Sequence, residues 1–269
     1  MESNIAKELN GKFKPIVLIK TDKAPENAIG PKSDKGGCIM AFIARVIADR
    51  KTAVFTKETC PCNGGKVGLG FGPGFEDEES LENHFCFLST GIDGCPNKEQ
   101  YQTFLNYLPE PTKEMFTHGE RIFVDYETAK EHITKHRPIY NNEEKYVVFK
   151  PLEELEEGEI PSAVIFTINP IELAALIHLD GSCRVDNAYT ITAQSAACQD
   201  IGNIVFKQAE SDNPRPVLGL SDLAGRRHVR RWIPDEYMTY ALTWELFLKL
   251  EKISENSFFQ TKVWEEFKK

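Results

Sequence analysis

The sequence predicts an α+β fold, or an irregular α/β one, from three observations. Short apolar runs of strand character and longer runs with helical spacing both occur along the whole of its 269 residues. They do not alternate strictly, as a doubly wound parallel sheet would require. No low-complexity segment interrupts them. With 41% hydrophobic and 27% charged residues the chain has the make-up of a soluble globular protein. Its length suits one large domain or two small ones. We read residues 1–269 as a single domain with a sub-boundary at the acidic connector 151–161, PLEELEEGEIP.

In chain order, PIVLIK (15–20) is an apolar run behind a proline and reads as a buried strand. From Gly36 the pattern turns helical, because Cys38, Phe42, Val46 and Ile39, Ile43, Ile47 repeat at fours, and the helix runs to about Lys51. Cys38 then lies in its first turn, where the positive end of the helix dipole favours a thiolate. AVFT (53–56) reads as a strand that empties into KETCPCNGGKVGLGFGPG (57–74), which reads as a glycine-rich loop. Residues 76–88 read as a helix, RIFVDY (121–126) as a strand and ETAKEHITKH (127–136) as a helix. Two strands flank the connector. NPIELAALIHLDG follows with Asn169 as N-cap, Pro170 at the first helical position and Gly181 as the stop. SAACQDIGNIVF (195–206) is predicted as a second helix led by a cysteine, Cys198, so that two similar halves are an expectation. PRPVLGLS is predicted as a strand, residues 233–253 as one long amphipathic helix opened by Pro234, and the tail as a short helix.

The formal net charge of −9 argues against a nucleic-acid partner, which needs clustered cations to displace counterions. No apolar stretch approaches the roughly 18 residues of a membrane span, and the N-terminus lacks an apolar signal core, so a cytoplasmic protein without a membrane partner is expected. Seven cysteines, an odd number scattered along the chain, point to reduced thiols or metal ligands rather than a disulfide framework.

The glycine-rich segment fits neither phosphate-loop pattern, since Pro73 stands where a glycine is needed after Gly68 and Gly70. The amides of Gly64 and Gly65 can instead donate to cluster sulfurs or to an anion. AGRRHVRR (224–231) concentrates arginine in an acidic chain, and Arg226 is the candidate for binding an anionic small molecule; its alternative is an internal ion pair. His132 and His136 share a helix face but lack the H-E-x-x-H pattern, and no G-x-S-x-G elbow is present.

Cys38 opening a helix, CNGGKVGLGF (62–71), NPIELAAL (169–176), Cys198, LGLSDLAGRRHV (218–229) and IPDEYMTYAL (233–242) follow one another in an order that resembles the family called domain of unknown function 169, archaeal and anaerobic-bacterial. The likeness spans most of the chain. It implies a soluble cytoplasmic protein and brings no reaction, substrate or cofactor. The cysteines at 38, 62 and 198 match that family's pattern, and Cys60 adds a thiol two residues from Cys62. Thiolates select iron–sulfur clusters, zinc or cuprous copper. Cys38, Cys60, Cys62 and Cys198 are therefore the candidate ligands of an iron–sulfur cluster or zinc. Two other readings stand beside this one: a metal-free enzyme with Cys62 as its reactive thiol, and structural cysteines in a protein-interaction module.

Overall fold

The computed structural model describes residues 1–32, 37–75, 77–187 and 189–268. They form two compact units: Met1–Gly74 with Ile139–Lys269, and Phe75–Pro138 inserted between them in sequence. The larger unit contains α1 (Asn4–Leu9), β1 (Ile16–Thr21), α2 (Ile39–Asp49), β2 (Ala53–Phe55) and α3 (Asn63–Gly68). The insert contributes α4 (Glu78–Leu88), α5 (Lys98–Asn106), α6 (Glu110–His118) and α7 (Tyr126–Glu131). The larger unit resumes with β3 (Tyr146–Pro151), β4 (Ala163–Ile168), α8 (Pro170–Gly181), β5 (Ile191–Thr192), α9 (Ala197–Asp200), α10 (Asn203–Ala209) and β6 (Val217–Gly219). It ends with α11 (Leu223–Val229), β7 (Met238–Leu242), α12 (Trp244–Ser254) and α13 (Lys262–Glu265). The α+β expectation holds.

The strands form a seven-stranded sheet in the order β2-β3-β1-β4-β7-β6-β5, with antiparallel neighbours except the parallel pair β5 and β6. Successive residues of a strand face opposite sides. Ile16 and Leu18 of β1 accordingly enter one core, while Val17 and Ile19 enter another. The first core is closed by α2, α9, α10 and the end of α11, the second by α1, α8, α12 and α13. Burying Ile39, Ile43 and Ile47 on one side of α2 contributes roughly 1.5–3 kcal/mol each. The candidate cysteines all belong to the first core or pack against it.

Several elements differ from the sequence reading. The helix expected from Gly36, which lies outside the described residues, begins at Ile39. Residues 63–68 are a helix rather than a loop. Gly181 ends α8 from within, and Ser182 is the cap. The run 195–206 breaks into α9 and α10 at Gly202, where a Cβ would stand 1.9 Å from the carbonyl oxygen of Gly68. Residues 121–126 are not a strand: their amides from Arg121 to Phe123 donate to the carbonyls of Ser89 and Leu88, and Asp125 caps α7. The long helix at 233–253 is instead β7 followed by α12. Thr239 and Ala241 face one side of the sheet, Tyr240 and Leu242 the other, and Thr243 then caps α12 through the amide of Leu246.

The expected sub-boundary at 151–161 lies inside the larger unit, where it joins β3 to β4 on either side of β1. The true break in the chain is the insert. Its core gathers Phe85, Leu88, Tyr101, Leu105, Tyr126 and Ala129. Contrary to the expectation of reduced thiols throughout, Cys86 and Cys95 form a disulfide. A short turn at 91–93, entered through Gly91 at φ +64°, reverses the chain after α4 and brings the two Cα atoms to 5.1 Å, within the range a disulfide spans.

Candidate thiol centre

Four free cysteines from three segments lie in or against the core on the first face of the sheet, within electrostatic reach of one another. Cys38 is the N-cap residue of α2. Cys60 follows a turn in which Thr56 and Thr59 exchange side-chain and backbone hydrogen bonds, and the Cys60 amide donates to the Thr56 carbonyl at 2.9 Å. Cys62 caps α3, its Sγ accepting the Gly65 N–H at 3.3 Å. Cys198 is the second residue of α9 and is buried. Because a helix start leaves amides without partners, thiols placed there receive N–H groups. The Cys62 sulfur takes that of Gly65 in α3, and the start of α2 at Ile39 also favours its thiolate.

The glycines explain how the segments come so near. A Cβ on Gly65 would stand 3.0 Å from Sγ of Cys60 and 3.0 Å from Sγ of Cys62, so the two sulfurs are separated by no more than twice that distance. On Gly68 it would stand 2.8 Å from the carbonyl oxygen of Cys198. Glycine costs a helix roughly 1 kcal/mol relative to alanine. Here that cost is offset by close approach of α3 to α9, which no larger residue allows. A Cβ on Gly64 would meet only the Ala196 methyl, at 3.9 Å, an ordinary contact.

Electrostatics record the convergence. Burial, with the neighbouring Cys62 adding to it, pushes the Cys38 thiol up to about 11 and Cys60 up to about 12. Burial pushes Cys198 up strongly, with Cys62, Cys38 and Cys60 all adding to it. Burial also raises Cys62, while the N–H groups of Gly65 and Ile39 and the charge of Lys66 hold it down. Cys38, Cys60 and Cys198 each have Cys62 near enough to shift their ionisation. Among the described residues, however, no three His, Cys, Asp or Glu side chains stand in a geometry that holds a single metal ion.

Two carboxylates border the centre that sequence reasoning missed. Asp222 caps α11 through the Ala224 amide at 2.9 Å and also accepts the Ala197 amide at 3.1 Å, tying α11 to the start of α9. Asp200 is fully buried and accepts from the Ser195 hydroxyl and from the Leu220 amide at 3.3 Å. Leu220 adopts φ +66° to present that amide, and Gly219 clears the space beside the carboxylate. Burial lifts Asp200 to about 7. The Ser-Asp-Leu step before α11 was a readable N-cap signal.

Arg226 is spent internally: Nη1 donates to the Asp235 carbonyl at 2.9 Å and Nη2 to the sulfur of Met238. It fastens α11 to the segment before β7. Cys183 lies apart at the end of α8, its thiol donating to the Asp180 carbonyl. His132 and His136 fall in a π turn, and His178 packs edge-on against Phe258 at 4.8 Å.

The family model described as uncharacterised ArCR, the domain of unknown function 169, matches residues 4–252. No curated protein and no solved structure matches the chain.

Proposed function

The chain belongs to the family of domain of unknown function 169, and on that premise we propose that it is an iron–sulfur protein whose cluster is held by Cys38, Cys60, Cys62 and Cys198. The observation that carries this reading is the convergence of four free thiols from three separate segments, packed around glycines that leave no room for side chains. Soft thiolate donors suit iron–sulfur clusters and zinc. A single tetrahedral zinc ion, with bonds near 2.3 Å, needs its sulfurs about 3.8 Å apart. A four-iron cluster would bind each of four thiolates to a different iron and space them more widely, which suits sulfurs that lie near one another without forming a mononuclear cage. The positive charge of the irons would also offset the burial that pushes all four thiols up. The backbone amides of Gly65 and Ile39 would stabilise the thiolate of Cys62.

A second reading rests on Cys62 alone. Its sulfur accepts the Gly65 amide at the start of α3, and this contact together with the positive charge of Lys66 opposes the burial that raises the thiol, so a metal-free enzyme would use it as nucleophile.

Protein purified without oxygen decides between them. The cluster reading expects iron and acid-labile sulfide with broad visible absorbance in the wild type, loss of both in Cys62→Ser, and retention in Cys183→Ser. Absence of iron and sulfide, or equal content in the two variants, overturns it. A metal-free protein in which Cys62 alkylates fastest supports the thiol enzyme.

A further inference from the structure

The basic run 224–231 divides in two. Arg226 is held by Asp235 and Met238, and Arg230 pairs with Asp235 at 2.6 Å, so both serve the fold. Arg231 has no ion-pair partner among the described residues, and its guanidinium lies 5.5 Å from the ring centroid of Trp232. Facing it is one side of α2, where Phe42, Arg45 and Asp49 follow at helical spacing. Between them runs a groove of about 470 Å³ lined by Ala41, Phe42, Arg45, Asp49, Arg231 and Trp232.

The groove has the size of a small-molecule site, which spans roughly 300–1,000 Å³. Its charge is unlike that of the chain, which is −9 overall: two guanidiniums stand against one carboxylate. Arg45 Nε and Asp49 are 3.6 Å apart with side chains 31% and 40% exposed, a loose surface pair that leaves Arg45 able to take another partner. Two aromatic rings supply flat apolar walls. We propose that this groove binds a small aromatic carboxylate, its anionic group on the forks of Arg231 and Arg45 and its ring against Trp232 and Phe42. Arginine presents paired donors that match a carboxylate, and aromatic walls favour a planar body. No cysteine lines the groove, and the site stands whether or not the thiols hold a cluster.

The test uses the full chain with 1-naphthoate as probe, and with neutral 1-naphthalenemethanol and acetate as its two halves, read by calorimetry and tryptophan fluorescence. Saturable naphthoate binding is expected, with each half binding at least about tenfold more weakly. Arg231→Gln should weaken naphthoate about tenfold, because a charged two-point contact is lost. Asp49→Asn should tighten it about threefold by removing a like charge. Both positions are on the surface, and an unchanged melting temperature confirms that folding is intact. No naphthoate binding, equal binding to Arg231→Gln, equal binding of the neutral alcohol, or weaker binding to Asp49→Asn overturns the proposal.

Discussion

In the inserted unit Cys86 and Cys95 come near enough to bond each other, whereas in the larger unit Cys38, Cys60, Cys62 and Cys198 gather within electrostatic reach and stay free. Backbone placement makes the difference. In the insert a chain reversal at Gly91 lays two short segments side by side, so the two Cα atoms reach bonding range. In the larger unit Cys38, Cys62 and Cys198 sit at or beside the starts of α2, α3 and α9, Cys60 precedes α3, and Gly65 lies between the sulfurs of Cys60 and Cys62. The insert gains a cross-link that restricts its unfolded chain. The larger unit buries its thiols without pairing them.

The contrast can be broken most severely at Gly202. An alanine there would place its Cβ 1.9 Å from the Gly68 carbonyl oxygen, forcing α3 away from α9. We expect Gly202→Ala to cost about 3 kcal/mol by urea unfolding, as overpacking against rigid backbone does. A cost confined to a few tenths would mean that the two helices are not packed as described.

Next in size is the disulfide. Closing so short a loop contributes about 2–3 kcal/mol in the chain-entropy account, so Cys86→Ser with Cys95→Ser should lower protection from hydrogen exchange across residues 75–138 by that amount. Bound metal should be unchanged. A drop in metal content would merge two groups of cysteines that we hold to be separate.

Acid sharpens the same comparison. Burial, with help from Arg137, depresses His84 from 6.5 to about 3. The unfolded chain therefore takes up a proton that the folded insert refuses: stability is full above about pH 6.5 and falls as pH drops through 5 toward 3. The ring keeps some surface contact beside Phe75, so the loss from pH 7 to pH 5 is at most about 2 kcal/mol. Hydrogen exchange of residues 75–138 should show it, and His84→Phe should abolish it. Equal acid sensitivity in that variant would assign the effect elsewhere.

The smallest effect is expected at Arg226. Arg226→Ala loses two hydrogen bonds and should cost about 1 kcal/mol in melting experiments with metal content intact. Loss of metal would return this arginine to the site.

Much of the sheet was legible because β1, β3 and β4 are apolar runs buried on both faces, and α8 because Asn169, Pro170 and Glu172 spell a capping box. The three cysteine-bearing segments were legible by residue type. What was hidden depends on partners distant in sequence. Six glycines disguised α3, since only the backbone of Cys198 explains why Gly68 is compatible with a helix there. Met238, Leu242, Leu246 and Leu250 fit a helical period across the β7–α12 junction, and only strand pairing with β4 separates the first two from the others. The glycine-rich segment before Phe75 and the proline at 138 read as ordinary turns, so the insert was not legible as a separate unit. Asp200 was invisible as a site neighbour because its burial depends on Gly219 and Leu220, far along the chain.

Native mass spectrometry of protein prepared without oxygen tests the central claim most directly, because it weighs what the four thiols hold. We predict a mass increase matching an iron–sulfide core in the wild type and in Cys183→Ser, absent from Cys198→Ser. A wild-type chain that carries only its own mass, or a Cys198→Ser chain that keeps the added core, would contradict it.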